Sequence, residues 1–167
     1  MKKICGQNLT PMEQKKENNY HELLLKAERF CAYQERCSHE LKQKLKELGA
    51  DEKTLEEIIT SIQEDDFQND ERFALLFTSG KFRIKRWGKI KIRSELRMKK
   101  IPDSLIKTAL DSINETDYKK TIQHLIQKKE REVQRDKPEN RKQKIFRFLL
   151  SKGFESTLIL SNLKLQT

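Results

Sequence analysis

Apolar residues along this chain return at intervals of three and four, in short stretches that stop at glycine, proline or an acidic residue suited to cap a helix. Leu23, Leu24, Ala27, Phe30 and Cys31, with Gln34 continuing the step, predict a first helix over Pro11 to Glu35, with a weak point at Asn18-Asn19. Thr10-Pro11-Met12-Glu13 supplies its cap, a proline at the first helical position and a capping-box acid. Met1 to Leu9 has no periodicity and reads as a mobile leader. Ser38 is positioned to cap a second helix whose stripe is Leu41, Leu45 and Leu48, ending at Gly49, where freedom at positive φ suits a helix C-terminus. A third starts near Asp51 and buries Leu55, Ile58, Ile59 and Ile62.

This grammar repeats. A shift of 51 residues carries Leu41, Leu45, Leu55, Ile58, Ile59 and Ile62 onto Ile92, Leu96, Ile106, Ala109, Leu110 and Ile113, all apolar. A further 53 carries Ile92, Leu96, Ile101, Leu105, Ile106 and Leu110 onto Ile145, Leu149, Phe154, Leu158, Ile159 and Leu163, and Ala109 onto Asn162. The same register aligns Gly49, Lys100 and Gly153. Amphipathic helices precede each copy: Pro11 to Glu35, Asp70 to about Phe82, and Asp117 to about Gln134. The expectation is an all-α chain of three tandem three-helix units, 10–66, 67–115 and 116–167, behind a leader at 1–9. Units of about 50 residues have little core of their own, so stacking into an elongated, curved rod is expected. Pro138 is expected in a loop inside the third unit, and the acidic link Gln63 to Asp70 carries helix-cap residues instead of a flexible tether.

Composition narrows the class. The chain is 35% hydrophobic and 37% charged, with 5 Gly and 3 Pro among 167 residues. Helix is favoured and the core is modest. No apolar run is long enough for a membrane span or a secretory signal, which places the protein in the cytoplasm with no membrane partner. Cys5, Cys31 and Cys37 are odd in number and form no C-x-x-C pair, so they read as reduced thiols with small apolar roles. Cys31, Cys37 and His39 fall short of the four ligands a zinc site needs.

Enzymatic motifs are missing. Ser79-Gly80-Lys81-Phe82 has neither the upstream glycine nor the following Ser or Thr of a phosphate-binding loop, and His21-Glu22 and His39-Glu40 have no second histidine at metalloprotease spacing. Asp65, Asp66, Asp70 and Glu71 are accounted for by helix capping and the macrodipole, and His124 by decoration of a helix. No catalytic residue, metal or cofactor is assigned.

The charge is not evenly spread. Of the formal +10, the stretch from Lys81 to Lys100 carries +9, with Glu95 its only acid; Asp51 to Arg72 nets −7 and Lys128 to Lys152 nets +6. The middle block lacks the acids that i,i+4 pairing on a merely soluble helix calls for, and is the expected meeting surface for phosphates or an acidic protein face. A helix from about Gly88 to Lys100 would line Lys89, Arg93, Arg97 and Lys100 along one face, with Ile92 and Leu96 inward; the preceding loop, Lys81 to Gly88, adds Lys81, Arg83, Lys85 and Arg86. Lys91 belongs to the same candidate surface. Trp87 either anchors that loop on the core or stacks on a base or partner side chain.

Ser38-His39-Glu40-Leu41-Lys42-Gln43-Lys44-Leu45-Lys46-Glu47-Leu48-Gly49 resembles the first-unit signature of the RecX family of recombination regulators. Glu71-Arg72-Phe73-Ala74, then Gly80-Lys81-Phe82-Arg83, then Trp87-Gly88-Lys89-Ile90-Lys91-Ile92-Arg93-Ser94-Glu95-Leu96 is similar to its middle repeat. Cys31-Ala32-Tyr33-Gln34-Glu35-Arg36-Cys37 resembles the variant found in Bacteroidetes-type members. The resemblance spans roughly residues 20 to 165 and is weakest in the third unit. It implies an elongated helical modulator that binds the RecA filament on single-stranded DNA and inhibits its ATPase, strand-exchange and coprotease activities; a monomer is expected, and the charge adds weak direct DNA affinity. The family brings no catalytic constellation, so the site residues rest on charge and position. The competing reading is a stand-alone, non-specific DNA- or RNA-binding helical module, since the basic helix offers Lys and Arg but almost no outward Asn or Gln to read bases.

Overall fold

A computed structural model describes residues 11–164, and every element among them is helical. The predicted leader and the Thr10 cap lie outside the described residues. The chain divides into two compact units, one ending at Asn69 and the other beginning at Asp70.

The first unit contains α1 (Pro11–Tyr33), α2 (Ser38–Glu47) and α3 (Glu52–Glu64). Helix α1 runs through Asn18-Asn19 without a break and stops two residues before the expected Glu35. Its Leu23, Ala27 and Cys31 meet Leu41 and Leu45 of α2 and Leu55, Ile58, Ile59 and Ile62 of α3 in one buried cluster. Each fully buried aliphatic side chain contributes about 1.5–3 kcal/mol, and this cluster is the chief source of cohesion among the three helices. The N-cap of α2 is Cys37, one residue before the expected Ser38; its amide donates to the Glu40 carboxylate at 3.3 Å. Asp51 caps α3 as expected, accepting from the Thr54 amide at 2.8 Å. Within the acidic link the side chain of Gln68 is buried, donating to the Arg36 carbonyl and accepting from Gln63.

The second unit contains α4 (Asp70–Lys85), α5 (Lys89–Met98), α6 (Asp103–Asp111), α7 (Glu115–Glu132), α8 (Pro138–Lys152) and α9 (Ser156–Lys164). Helix α4 packs on α5 and α6, and α8 packs on α7 and α9. Two expected boundaries move. Helix α7 begins at Glu115 because Asn114, not a residue nearer Asp117, accepts from the amides of Thr116 and Asp117. Pro138 opens α8 instead of sitting in a loop, since a first-turn position needs no amide hydrogen and suits its fixed φ.

The repeat register is exact enough to be read in backbone geometry. Gly49, Lys100 and Gly153 all adopt left-handed φ, at 84°, 60° and 86°. After each, the next amide returns to a carbonyl five residues earlier: Ala50 to Leu45 at 3.0 Å, Ile101 to Leu96 at 3.1 Å, Phe154 to Leu149 at 3.2 Å. The left-handed residue itself donates to Lys46, Arg97 and Leu150 in turn. This is one helix stop built three times, with glycine in the outer copies and lysine in the middle one. All twelve residues related by the first shift are buried, as are Ile145, Leu149, Phe154 and Ile159 from the second, whereas Leu158 and Leu163 are half-buried. Asn162 turns its amide back to the Leu158 carbonyl at 2.9 Å.

Candidate partner interface

The basic block occupies the C-terminal half of α4, a three-residue turn, and α5. The expected loop over Lys81 to Gly88 is mostly helix: α4 continues to Lys85 and only Arg86, Trp87 and Gly88 connect it to α5. Its backbone turns because Arg86 adopts φ 55°, with the Arg86 amide donating to the Phe82 carbonyl and the Trp87 amide to that of Lys81. Ending α4 this way stacks Lys81, Arg83 and Lys85 on a rigid element.

The start of α5 faces a problem common to all helices, since its first amides have no partner within the helix. Here the end of α8 supplies them. The Gly88 amide donates to the Lys152 carbonyl at 2.8 Å and the Ile90 amide to the Gly153 carbonyl at 3.0 Å, while the Lys89 amide donates to the Tyr118 hydroxyl at 2.9 Å. Carbonyls at one helix C-terminus thus satisfy amides at another's N-terminus, aligning opposite ends of their dipoles. The approach is close enough to exclude side chains: a Cβ on Gly88 would overlap the Gly153 carbonyl oxygen, and one on Gly153 would overlap the Lys91 Cβ. Tyr118 completes the joint, stacked between Phe82 and Phe154 at 5.8 and 5.2 Å and donating its hydroxyl to Glu155 at 2.8 Å. Burial pushes its ionisation well above the usual tyrosine range; Glu155 adds to this and the Lys89 amide opposes it.

This joint divides the predicted basic stripe. Lys89 turns to the joint, its ammonium 2.5 Å from Glu115 and above the Tyr118 ring, with its side chain only 19% exposed. Arg97 pairs with Asp103 at 2.9 Å in an exposed ion pair of little strength. Lys81 and Lys91 place their ammonium groups over the Trp87 ring at 5.0 and 4.7 Å, and Lys91 also donates to the Ser151 carbonyl. Trp87 is half-buried, and its ring holds these two cations in place. Arg83, Lys85, Arg86, Arg93 and Lys100 are exposed, and their side chains make no hydrogen bond or ion pair among the described residues. These five hold the unspent charge of the block.

Sequence reasoning missed what α7 adds. Arg83 and Arg86 line an open cleft of about 460 Å³ with Phe82, Asp117, Lys120, Thr121 and His124. The spacing of Asp117, Thr121 and His124 puts them on one helical face, but nothing in the sequence says that this face meets the end of α4. Lys100 has a second distinction. A non-glycine residue in the left-handed region costs about 1 kcal/mol or more, and the outer repeats avoid that cost with Gly49 and Gly153. Cys31 and Cys37 are buried, and no cluster of metal-ligating side chains occurs among the described residues. No helix among them is long and apolar enough to cross a membrane.

Comparison with known proteins matches three stretches of the chain to one family. Family models described as the first, second and third three-helix domains of RecX match residues 24–60, 69–110 and 116–161. The chain is 30% identical over 126 residues to the regulatory protein RecX of Chlorobaculum tepidum, covering 75% of this chain and 76% of that protein. It is 33% identical over 118 residues to the regulatory protein RecX of Clostridium perfringens, covering 70% of this chain but only 55% of the relative. The fold matches the crystal structure of RecX from Lactobacillus salivarius with a TM-score of 0.81 at 24% identity, over 89% of this chain and 96% of that one. A second crystal structure of regulatory protein RecX gives a TM-score of 0.82 at 23% identity, over 93% of this chain and 78% of that one. These relatives bear the name of a regulatory protein and not of an enzyme. Matches to the family's first, second and third three-helix domains in their order along the chain make this chain a member of the RecX family.

Proposed function

We propose that this protein docks on the RecA filament formed on DNA and inhibits its ATPase, strand-exchange and coprotease activities. The observation that carries this reading is the group Arg83, Lys85, Arg86, Arg93 and Lys100, exposed and without partners among the described residues, on helices held rigid by the α5–α8 joint. Family membership and the resemblance in the middle repeat support RecA as the protein partner, and the charge suits both phosphates and acidic side chains. Lys81, Lys89, Lys91, Trp87 and Arg97 then serve the same surface, the first four by fixing its shape and Arg97 by exchanging Asp103 for a partner anion. The protein acts in the cytoplasm as a monomer without cofactor, with divisions at 10–66, 67–115 and 116–167.

The test is RecA ATP hydrolysis on single-stranded DNA, with RecA from the same organism, as this protein is added far below the DNA concentration. Inhibition at substoichiometric amounts supports filament regulation. Inhibition only when the protein coats the DNA favours a non-specific nucleic-acid module, and no effect overturns the proposal. Replacing Arg86, Arg93 and Arg97 together by Glu is expected to abolish inhibition while leaving the helical circular-dichroism signal intact.

A further inference from the structure

Helix α4 carries a glycine that its own fold does not require. Gly80 sits in the interior of Asp70–Lys85, its φ is not left-handed, and a Cβ built on it would meet nothing within 4 Å. Alanine would fit and would favour the helix, so the glycine spends helix stability without relieving any contact inside the chain. Its neighbours one turn away in each direction are Leu76 and Ile84, which are 56% and 77% exposed. Arg83, also exposed, lies beside them at the next helical step. Leu76, Gly80 and Ile84 form a ridge, a gap and a ridge on the solvent side of α4, opposite the buried Ala74, Thr78 and Phe82.

We propose that this face is a docking site for an acidic, amphipathic helix on the protein component of the filament, which packs across Gly80 and covers Leu76 and Ile84. The inference rests on the reading that this chain acts on RecA, and it separates where RecA is held from where phosphates are held. Three observations select the occupant. Two exposed aliphatic side chains gain nothing from a phosphate backbone, which argues for protein over nucleic acid. Helix α4 has no acid after Glu71, while Arg83, Lys85 and the adjoining Arg86 lie at its C-terminal end, so the complementary partner is acidic. A second copy meeting this face with the same face would set Arg83, Lys85 and Arg86 against their like. The missing Cβ is what allows another helix backbone to approach closely.

Binding of the full chain to DNA-free RecA and, separately, to a single-stranded oligonucleotide tests this, using the wild type and the variants Gly80→Leu, Gly80→Ala and Ile84→Ser. Gly80→Leu fills the gap and is expected to weaken RecA binding by about tenfold or more, with oligonucleotide affinity unchanged. Gly80→Ala should raise the melting temperature yet weaken RecA binding, and Ile84→Ser, at an exposed position, should weaken it without loss of fold. RecA affinity unchanged in Gly80→Leu and Ile84→Ser would overturn the docking site while leaving the proposed function standing. Loss of oligonucleotide binding in these variants would assign the face to nucleic acid, and wild-type self-association abolished by Gly80→Leu would assign it to a second copy; either overturns the proposal. A wild type that binds neither DNA-free RecA nor the RecA filament on DNA removes the functional reading and this inference together, and one that binds only the filament overturns this inference alone.

Discussion

Gly88 and Gly153 meet backbone to backbone, the amide before α5 and the amide two residues later both bonded to the closing carbonyls of α8. Neither position admits a Cβ, since Gly88 faces the Gly153 carbonyl and Gly153 faces Lys91. Gly88→Ala is therefore expected to destabilise the protein by about 3 kcal/mol, because the clash is with backbone and cannot be relieved by a rotamer change. Gly49→Ala, left-handed but with open space, should cost only about 1 kcal/mol. Urea unfolding of the two variants checks the difference; equal losses would mean that the joint yields more readily than its geometry indicates.

Lys100→Gly is expected to stabilise the protein. The substitution removes left-handed strain at the one copy of the helix stop that lacks glycine, for a gain of about 0.5–1 kcal/mol after the added freedom of the unfolded chain is counted. If the lysine is kept for binding, the same variant loses affinity for the filament while melting higher. Thermal melting and filament binding measured side by side distinguish this from a lysine of no consequence, for which stability rises and binding holds.

The Tyr118 hydroxyl links two partners, and Tyr118→Phe leaves both unmet. The Lys89 amide loses its acceptor and Glu155 its donor, an expected cost of about 1–3 kcal/mol. Alkaline titration adds an independent check. A phenol whose ionisation is raised by folding holds its proton more tightly in the native state, so its contribution is intact below the unfolded tyrosine range near pH 10 and lost as pH rises above it. Tyr118 should ionise only as the helical circular-dichroism signal disappears, with the difference in tyrosinate absorbance between wild type and Tyr118→Phe reporting that one group. Ionisation of Tyr118 before unfolding would refute the enclosed joint.

The cations of the middle domain should divide into two sets by salt dependence. Neutralising Arg93 or Lys100 is expected to reduce the log–log salt slope of single-stranded DNA binding by about 0.7 for each phosphate left without its cation. Lys89→Met should leave the slope nearly unchanged, since that ammonium is already held by Glu115 and turned from solvent. A fall in slope for Lys89→Met as large as for Arg93→Met would show that the joint opens on DNA.

Much of the fold was legible because it is written in short-range signals. Interval-three-and-four stripes and the repeat shift together located the helices among the described residues, and the register that aligned Gly49, Lys100 and Gly153 located a backbone conformation that only the structure displays as left-handed in all three. The misplacements were also local: Cys37 acts as a cap in place of Ser38, α7 starts behind Asn114 two residues before the expected Asp117, and Pro138 starts a helix that its polar neighbours disguised. The candidate site was legible as charge but not as geometry. Periodicity puts Lys89 on a line with Arg93 and Arg97, yet its fate is set by Glu115 and Tyr118, 26 and 29 residues away. Long-range pairing of this kind leaves no trace in helical spacing, and the same holds for Lys120 and His124 beside Arg83 and Arg86.

The helix-to-helix capping at Gly88 and Ile90 makes the second repeat dependent on the third for part of its own secondary structure. A chain cut after Ser112 would keep every residue of α4, α5 and α6 and still lose the carbonyls that close the first turn of α5. Two of the three repeats written in sequence therefore act as one part in inheritance: the last two can be lengthened, shuffled or lost only together.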